Sequence, residues 1–238
     1  MIAGVGVAHG EGTLRGDQFA SRWNARRAIP PDAEPAASAA ASALSEAGWW
    51  RPGSGAPCAG GLVVANDGMS RDATARFARE LSGAWGSAPP PSGFLFSLPS
   101  STAAVLGILF GLPEYQSTLV GPAAGIDALR HALDLLSLGR LERALVVVGS
   151  ARGAERVAVA WCLDPRSPDP WQIDCGFPES IAGPTMSHPP PAAEIFLRAS
   201  EAIARRETAA IRLEAPDGGW IRLLRTEGAR PDAPERLS

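Results

Sequence analysis

A chain of 238 residues is long enough to bury a substantial core, as one large domain or two small ones. Its formal net charge of −3 and ordinary hydrophobic content of 45% give no electrostatic case for nucleic acid or for an anionic membrane surface. All 22 basic residues are arginine and are spread along the chain, which reads as coding bias from a GC-rich genome rather than as a binding patch.

Ile2 to Val7, IAGVGV, reads as a short strand closed by a turn. Its GxG pair, Gly4 and Gly6, invites a dinucleotide reading, but the third glycine of GxGxxG would fall at His9 and no acidic residue closes a second strand downstream. Ala36 to Ala47 is an alanine-rich helix ended by Gly48, and Trp49-Trp50 closes it against the core. GGLVVAN, Gly60 to Asn66, has the composition of a buried strand. The helix expected over Arg71 to Leu81 turns Ala75, Phe77, Ala78 and Leu81 inward; its arginines 71, 76 and 79 suit a solvated face or an acidic partner equally well. Ser92 to Leu112 reads as a short apolar segment, a turn at Pro99 with Ser100 or Ser101 as N-cap, and a small-residue helix around Gly107.

The stretch from Gln116 to Arg152 is the most strongly patterned. Ser117 to Val120 is a short strand stopped by Gly121-Pro122, since proline lacks the N–H that a ladder needs. Ile126, Leu129, Leu133, Leu136 and Leu138 mark one helix face, with Gly139 placed as the left-handed cap that ends it. Leu141 to Gly149, ending ALVVVG, then reads as a strand buried on both sides. A β-α-β unit of this length predicts a right-handed crossover between parallel strands, hence an α/β architecture. Arg156 to Leu163 follows as a strand that forms a hairpin with residues 145–149. Residues 166–191 read as an irregular surface connection. Ala192 to Arg206 is an amphipathic helix, and Ala209 to Glu214 and Trp220 to Arg225 are strands joined by the turn PDGG.

Cys58, Cys162 and Cys175 show no CxxC spacing and no neighbouring histidines, which predicts buried free thiols and no metal site. The amino terminus shows no basic segment followed by an apolar signal core, and no apolar run reaches the ~18 residues of a membrane span. The expectation is a cytoplasmic protein without membrane contact or cofactor.

The IAGVGV strand, the LFSLPSSTAAVLGILFGL segment and STLVGPAAGIDALRHALDLLSLGRLERALVVVGS together resemble the amino-terminal half of a β-ketoacyl synthase. The resemblance implies a thiolase-like layered α/β/α fold with an incomplete second half. Residues 1–165 would form the ketosynthase-like domain, 166–191 the connection, and 192–238 a helix and short strands packing on the same core. In active ketosynthases the turn before the central helix carries a nucleophilic cysteine, whose thiol the helix dipole acidifies. Matching the Ala128-Leu129 pair to that family places Pro122 at the cysteine position. The run PAAGIDAL is closer to chain length factors, the ketosynthase-like partners whose cysteine is replaced, and among these to the shortened type of aryl polyene pathways. The family's two catalytic histidines have no counterpart among His9, His131 and His188; IRLEAPDGG weakly resembles the first histidine's turn, with Pro216 in its place.

By that resemblance the chain is a non-catalytic subunit, forming a heterodimer with a catalytic ketosynthase and working on acyl groups held by an acyl carrier protein, in polyketide, aryl polyene or fatty-acid-like biosynthesis. Ser117, Thr118, Leu119 and Val120 would be the strand at the dimer axis, and Phe94, Leu95, Phe96 and Leu98 would line the partner's acyl tunnel or else be ordinary core. The alternative is a thiolase-fold acyltransferase or decarboxylase that works without the cysteine, for which Ser100, Ser101 and Ser117 are available nucleophiles.

Overall fold

The computed structural model describes residues 1–9, 29–54, 56–82, 91–121, 123–152, 155–167, 171–176, 192–205, 210–214 and 220–225. Two apolar runs form its centre. Strand β2 (Gly61–Asp67) and strand β4 (Ala144–Arg152) pair in parallel, with Val63 opposite Val146 and Ala65 opposite Val148. Strand β5 (Glu155–Leu163) returns antiparallel on the other side of β4, completing the expected hairpin, and strand β1 (Ile2–His9) pairs antiparallel with β5. Strand β3 (Tyr115–Val120) pairs in parallel with β2, so the order is β1-β5-β4-β2-β3 and β3 forms an edge.

Because successive strand side chains alternate faces, the valine runs feed two separate cores. Leu62, Val64, Leu145, Val147, Ala160 and Cys162 pack beneath helices α1 (Glu34–Glu46) and α4 (Ser101–Phe110). Val63, Ala65, Val146, Val148, Val159 and Trp161 pack beneath helices α5 (Ala124–Ser137) and α6 (Ala192–Arg205). The result is a layered α/β/α body. On the second face Trp161 donates its indole N–H to Ser200 Oγ at 2.8 Å and meets the Phe196 ring at 4.8 Å, which docks α6.

The glycines of GVG have a packing explanation. A Cβ on Gly4 would lie 2.2 Å from the Ala43 carbonyl oxygen, and one on Gly6 would lie 1.9 Å from that of Ala39. Only a bare backbone lets the alanine-rich α1 lie this close to β1. Trp50 is buried edge-on against Phe110, with ring centroids 5.3 Å apart, so the tryptophan pair closes the helix end as expected. Gly139 takes φ +64°, and the Arg140 N–H reaches back to the Leu135 carbonyl, the left-handed cap foreseen for α5.

Three expectations change. The segment 166–191, read as irregular, contains strand β6 (Trp171–Gly176); it joins strands β7 (Ala210–Glu214) and β8 (Trp220–Arg225) in a second sheet ordered β6-β8-β7. Flanking prolines masked a short strand whose Trp171 is buried with Ile221 and Leu223 in the α5–α6 core. Phe94, Leu95 and Phe96 lie on a short helix α3 (Pro91–Ser97), with Phe94 and Leu95 more than half exposed and Phe96 half-buried against the α1–α4 core. Phe94 and Leu95 are therefore not ordinary core, whereas Phe96 packs on its edge. Finally, helix α2 (Arg71–Leu81) buries Ala73, whereas Ala75, Ala78 and Leu81 face outward, because α2 packs on α3 through Phe77 and Phe94 (centroids 5.8 Å apart) rather than on the sheet. The turn PDGG lies outside the described residues, although β7 and β8 pair antiparallel on either side of it.

Candidate functional site

In an open parallel sheet the carboxyl ends of the strands face a crevice in which ligands bind. Here those ends belong to β2, β3 and β4. Asn66, 2% exposed at the end of β2, ties three elements together. Its amide Nδ2 donates to the Pro99 carbonyl at the α3–α4 corner (2.9 Å), its Oδ1 accepts the Met69 N–H (2.9 Å), and its backbone carbonyl accepts the Gly121 N–H (3.3 Å) where β3 turns toward α5. Beside it the buried Ser150 donates to Asp67 Oδ2 (3.2 Å) and accepts the Ala193 N–H (3.1 Å), which fixes the start of α6. The rim is thus built from an amide and a hydroxyl whose hydrogen bonds already hold protein groups. Residue-type reasoning overlooked both; the available signal was a polar residue ending each fully apolar run, Asn66 after GLVVA and Ser150 after ALVVVG.

Helix α5 starts at this rim, so its first amide N–H groups present the positive end of the helix dipole there. Pro122 lies outside the described residues. Around it stand Gly121, Ala123, Ala124 and Gly125, none with a nucleophilic side chain, and Ala123 offers no side-chain cap. The thiols are elsewhere. Cys58 and Cys162 are buried in the α1–α4 core, and burial pushes the Cys162 thiol well above the ordinary range. Cys175, on β6, is pushed up to about 12, by burial first and by the Asp174 carboxylate second. A thiol that holds its proton at neutral pH is a poor nucleophile. With a pKa near 12, only roughly one Cys175 in ten thousand is ionised at pH 8, against about a quarter of ordinary thiols. Iodoacetamide at pH 8 should therefore leave the native chain essentially unlabelled and modify all three cysteines after unfolding in urea; rapid native labelling, read by mass spectrometry, would contradict this.

Among the described residues the serines weighed as replacements do not assemble a dyad with a histidine. Ser100 stands at the N-cap of α4 without a side-chain capping bond, a departure from the expected cap, and Ser101 is half-buried in its first turn. Ser117 sits on β3, near the start of which the Tyr115 hydroxyl holds His131 Nε2 at 2.7 Å. His9 is exposed at the end of β1, and His188 lies outside the described residues. Among the described residues no group of three or more His, Cys, Asp or Glu side chains could hold a metal ion.

The expected interface strand occupies an edge of the main sheet among the described residues. Ser117, Thr118 and Leu119 are half-buried there and Val120 is 62% exposed. Helix α4 packs on β3, and Gly107 leaves room for Gln116: a Cβ at Gly107 would stand 2.1 Å from its amide nitrogen. Ile108, on the outer side of α4, is 52% exposed. The other edge is partly covered, because Glu46 of α1 accepts the Val5 N–H at 2.8 Å. Phe94 and Leu95 lie exposed on α3, and Leu98, just after it and beside the Pro99 that Asn66 holds at the rim, is half-buried.

No family model matches the chain, and no curated protein matches it. Solved structures do. A chain of the complex between the ketosynthase ApeO and its chain length factor ApeC, from Xenorhabdus doucetiae, superposes with a TM-score of 0.62 over 94% of this chain and 98% of its own length, at 13% identity. The chain has a thiolase-type, ketosynthase-like fold. The ishigamide ketosynthase/chain length factor superposes with a TM-score of 0.53 at 14% identity, covering 71% of this chain and 73% of its own. Coverage of 94% and 98% means that the thiolase-type fold is shared with a solved chain of nearly the same length. No single described helix is long and apolar enough to cross a membrane.

Proposed function

We propose that this chain is a ketosynthase-like subunit of the chain length factor type, pairing with a catalytic β-ketoacyl-acyl carrier protein synthase and shaping its acyl tunnel. What carries the reading is the start of α5, where the fold's cysteine would stand: the sequence there is Gly-Pro-Ala-Ala-Gly-Ile, with no nucleophile, while all three thiols lie in other parts of the molecule. Two similar solved structures are ketosynthase–chain length factor assemblies, which supports a ketosynthase as the partner. Strand β3, the edge of the main sheet among the described residues, with Val120 exposed, and Ile108 exposed on the adjoining helix α4 supply apolar surface for that pairing, since a sheet edge invites another chain. In this reading the partner contributes the cysteine and histidines, acyl carrier protein delivers the chain, and the product is a polyene, polyketide or fatty-acid-like acyl group.

Phe94, Leu95, Phe96 and Leu98 then form the wall that limits chain growth. Because Phe96 leans on the α1–α4 core and Phe94 on Phe77, truncating either would mix stability with function; Leu95 is 57% exposed and gives the cleaner test. In an extension assay with the co-purified ketosynthase, Leu95→Ala should lengthen the product distribution by at least one extension unit while melting within a few degrees of wild type, as expected for an exposed site. An unchanged distribution would remove α3 from the tunnel.

A further inference from the structure

Helix α2 and helix α3 form a hairpin held together by its own contacts. Phe77 packs on Phe94, Gly93 lies close under the Phe77 ring, and Thr74 Oγ1 donates to the Ser97 carbonyl at 2.8 Å. Helix α3 leans on the α1–α4 core through Phe96, whereas the seat of α2 is polar. With Ala73 as the one buried residue of α2, apolar burial contributes little to holding that helix. At the far end Asn66 grips Pro99. At the near end stands Arg156, on β5, whose Nη2 reaches Asp72 of α2 at 2.7 Å and Asp32, in the segment before α1, at 3.1 Å. The Asp32 carboxylate in turn accepts the Ala73 N–H at the start of α2, with Arg76 of the same helix as a further nearby cation. Arg156 and Asp32 are 16% and 15% exposed, so the Asp32 arm of the link is shielded from water while the Asp72 arm is open to it, and among the described residues Arg156 Nε is buried without a hydrogen-bond partner. Three elements distant in sequence therefore meet on one guanidinium.

We infer that Arg156 is a positioning residue: by joining Asp32 to Asp72 it seats the α2–α3 hairpin, and with it the Phe94–Leu95 wall, at the rim of the site. The consequence for product length rests on the chain length factor reading; the seating itself does not. Charge-assisted hydrogen bonds in a shielded place are strong enough to hold such a hairpin, and loss of one frees it locally rather than globally.

The test is amide hydrogen exchange on the full chain, comparing wild type, Arg156→Met and Asp72→Asn. Asp72 is 63% exposed, so its amide variant keeps the fold even where Arg156→Met fails to. In Arg156→Met exchange in residues 71–82 and 91–97 should rise by about ten- to hundredfold, the loss of one charged hydrogen bond, and in Asp72→Asn, which loses only the exposed arm, by about two- to fivefold, while β4 and α5 keep their protection in both. Arg156→Lys should fall between, because an ammonium lacks the guanidinium fork. Unchanged exchange in both segments, or a uniform rise across the chain, would overturn the proposal. In the co-purified complex Asp72→Asn should broaden the product-length distribution without a matching loss of turnover. Failure to form any complex would defeat the functional reading while leaving the exchange result to decide the seating.

Discussion

Ile108→Glu and Val120→Glu should each abolish co-purification with a catalytic ketosynthase while leaving the isolated chain folded. Both side chains are more than half exposed, on α4 and on β3, the edge strand of the main sheet among the described residues. In the isolated chain a charge there stays in water, and the change in stability should be within about 0.5 kcal/mol. In an interface core the same carboxylate would be buried without a partner, and we expect roughly a hundredfold or greater loss of affinity. Pull-down followed by titration calorimetry reads the loss, and thermal unfolding of the single chain controls for folding. Wild-type affinity in both variants would move the partner to another face.

The second large effect is structural. Gly6→Ala should cost about 3 kcal/mol or prevent folding, because the new methyl would stand 1.9 Å from the Ala39 carbonyl oxygen and 2.8 Å from the Ala43 amide nitrogen. Both clashes are with helix backbone, so no rotamer change relieves them, and α1 would have to move off β1 together with the core formed by Ala36, Ala40 and Leu44. Urea unfolding monitored by tryptophan fluorescence measures this. A midpoint equal to wild type would show that α1 is not seated on β1.

These two effects differ in how readable they were. The continuous runs GLVVAN and ALVVVG announced strands buried on both faces, and Gly139 announced the helix end, because each pattern follows from local chemistry that no tertiary contact overrides. Gly4 and Gly6 were visible as unusual, but their reason lies in the approach of a helix thirty or more residues away, which spacing does not encode. Helix α2 misled for a related cause. Its spacing turns Ala75, Phe77, Ala78 and Leu81 inward, yet only Phe77 meets a neighbour, the helix α3, and Ala75, Ala78 and Leu81 remain outside. Strand β6 escaped notice because its pairing partner β8 lies far along the chain and prolines crowd its flanks.

At the site, sequence exposed what is missing more readily than what is present. The absence of a nucleophile beside α5 and the scattering of the cysteines follow from residue identity. That Asn66 joins β2 to both the α3–α4 corner and the β3–α5 turn, or that Arg156 bridges Asp32 and Asp72, depends on elements converging from separate parts of the chain. Such junctions carry no local signature beyond a polar residue where an apolar one would pack.

The central claim is that this chain completes a ketosynthase rather than acting by itself. Co-expression with the ketosynthase encoded nearest to its gene, followed by size exclusion with light scattering and an acyl-extension assay, tests it most directly. A one-to-one complex that extends acyl chains only when this subunit is present is the predicted result. No complex, together with turnover of an acyl thioester by this chain without a partner, would contradict it.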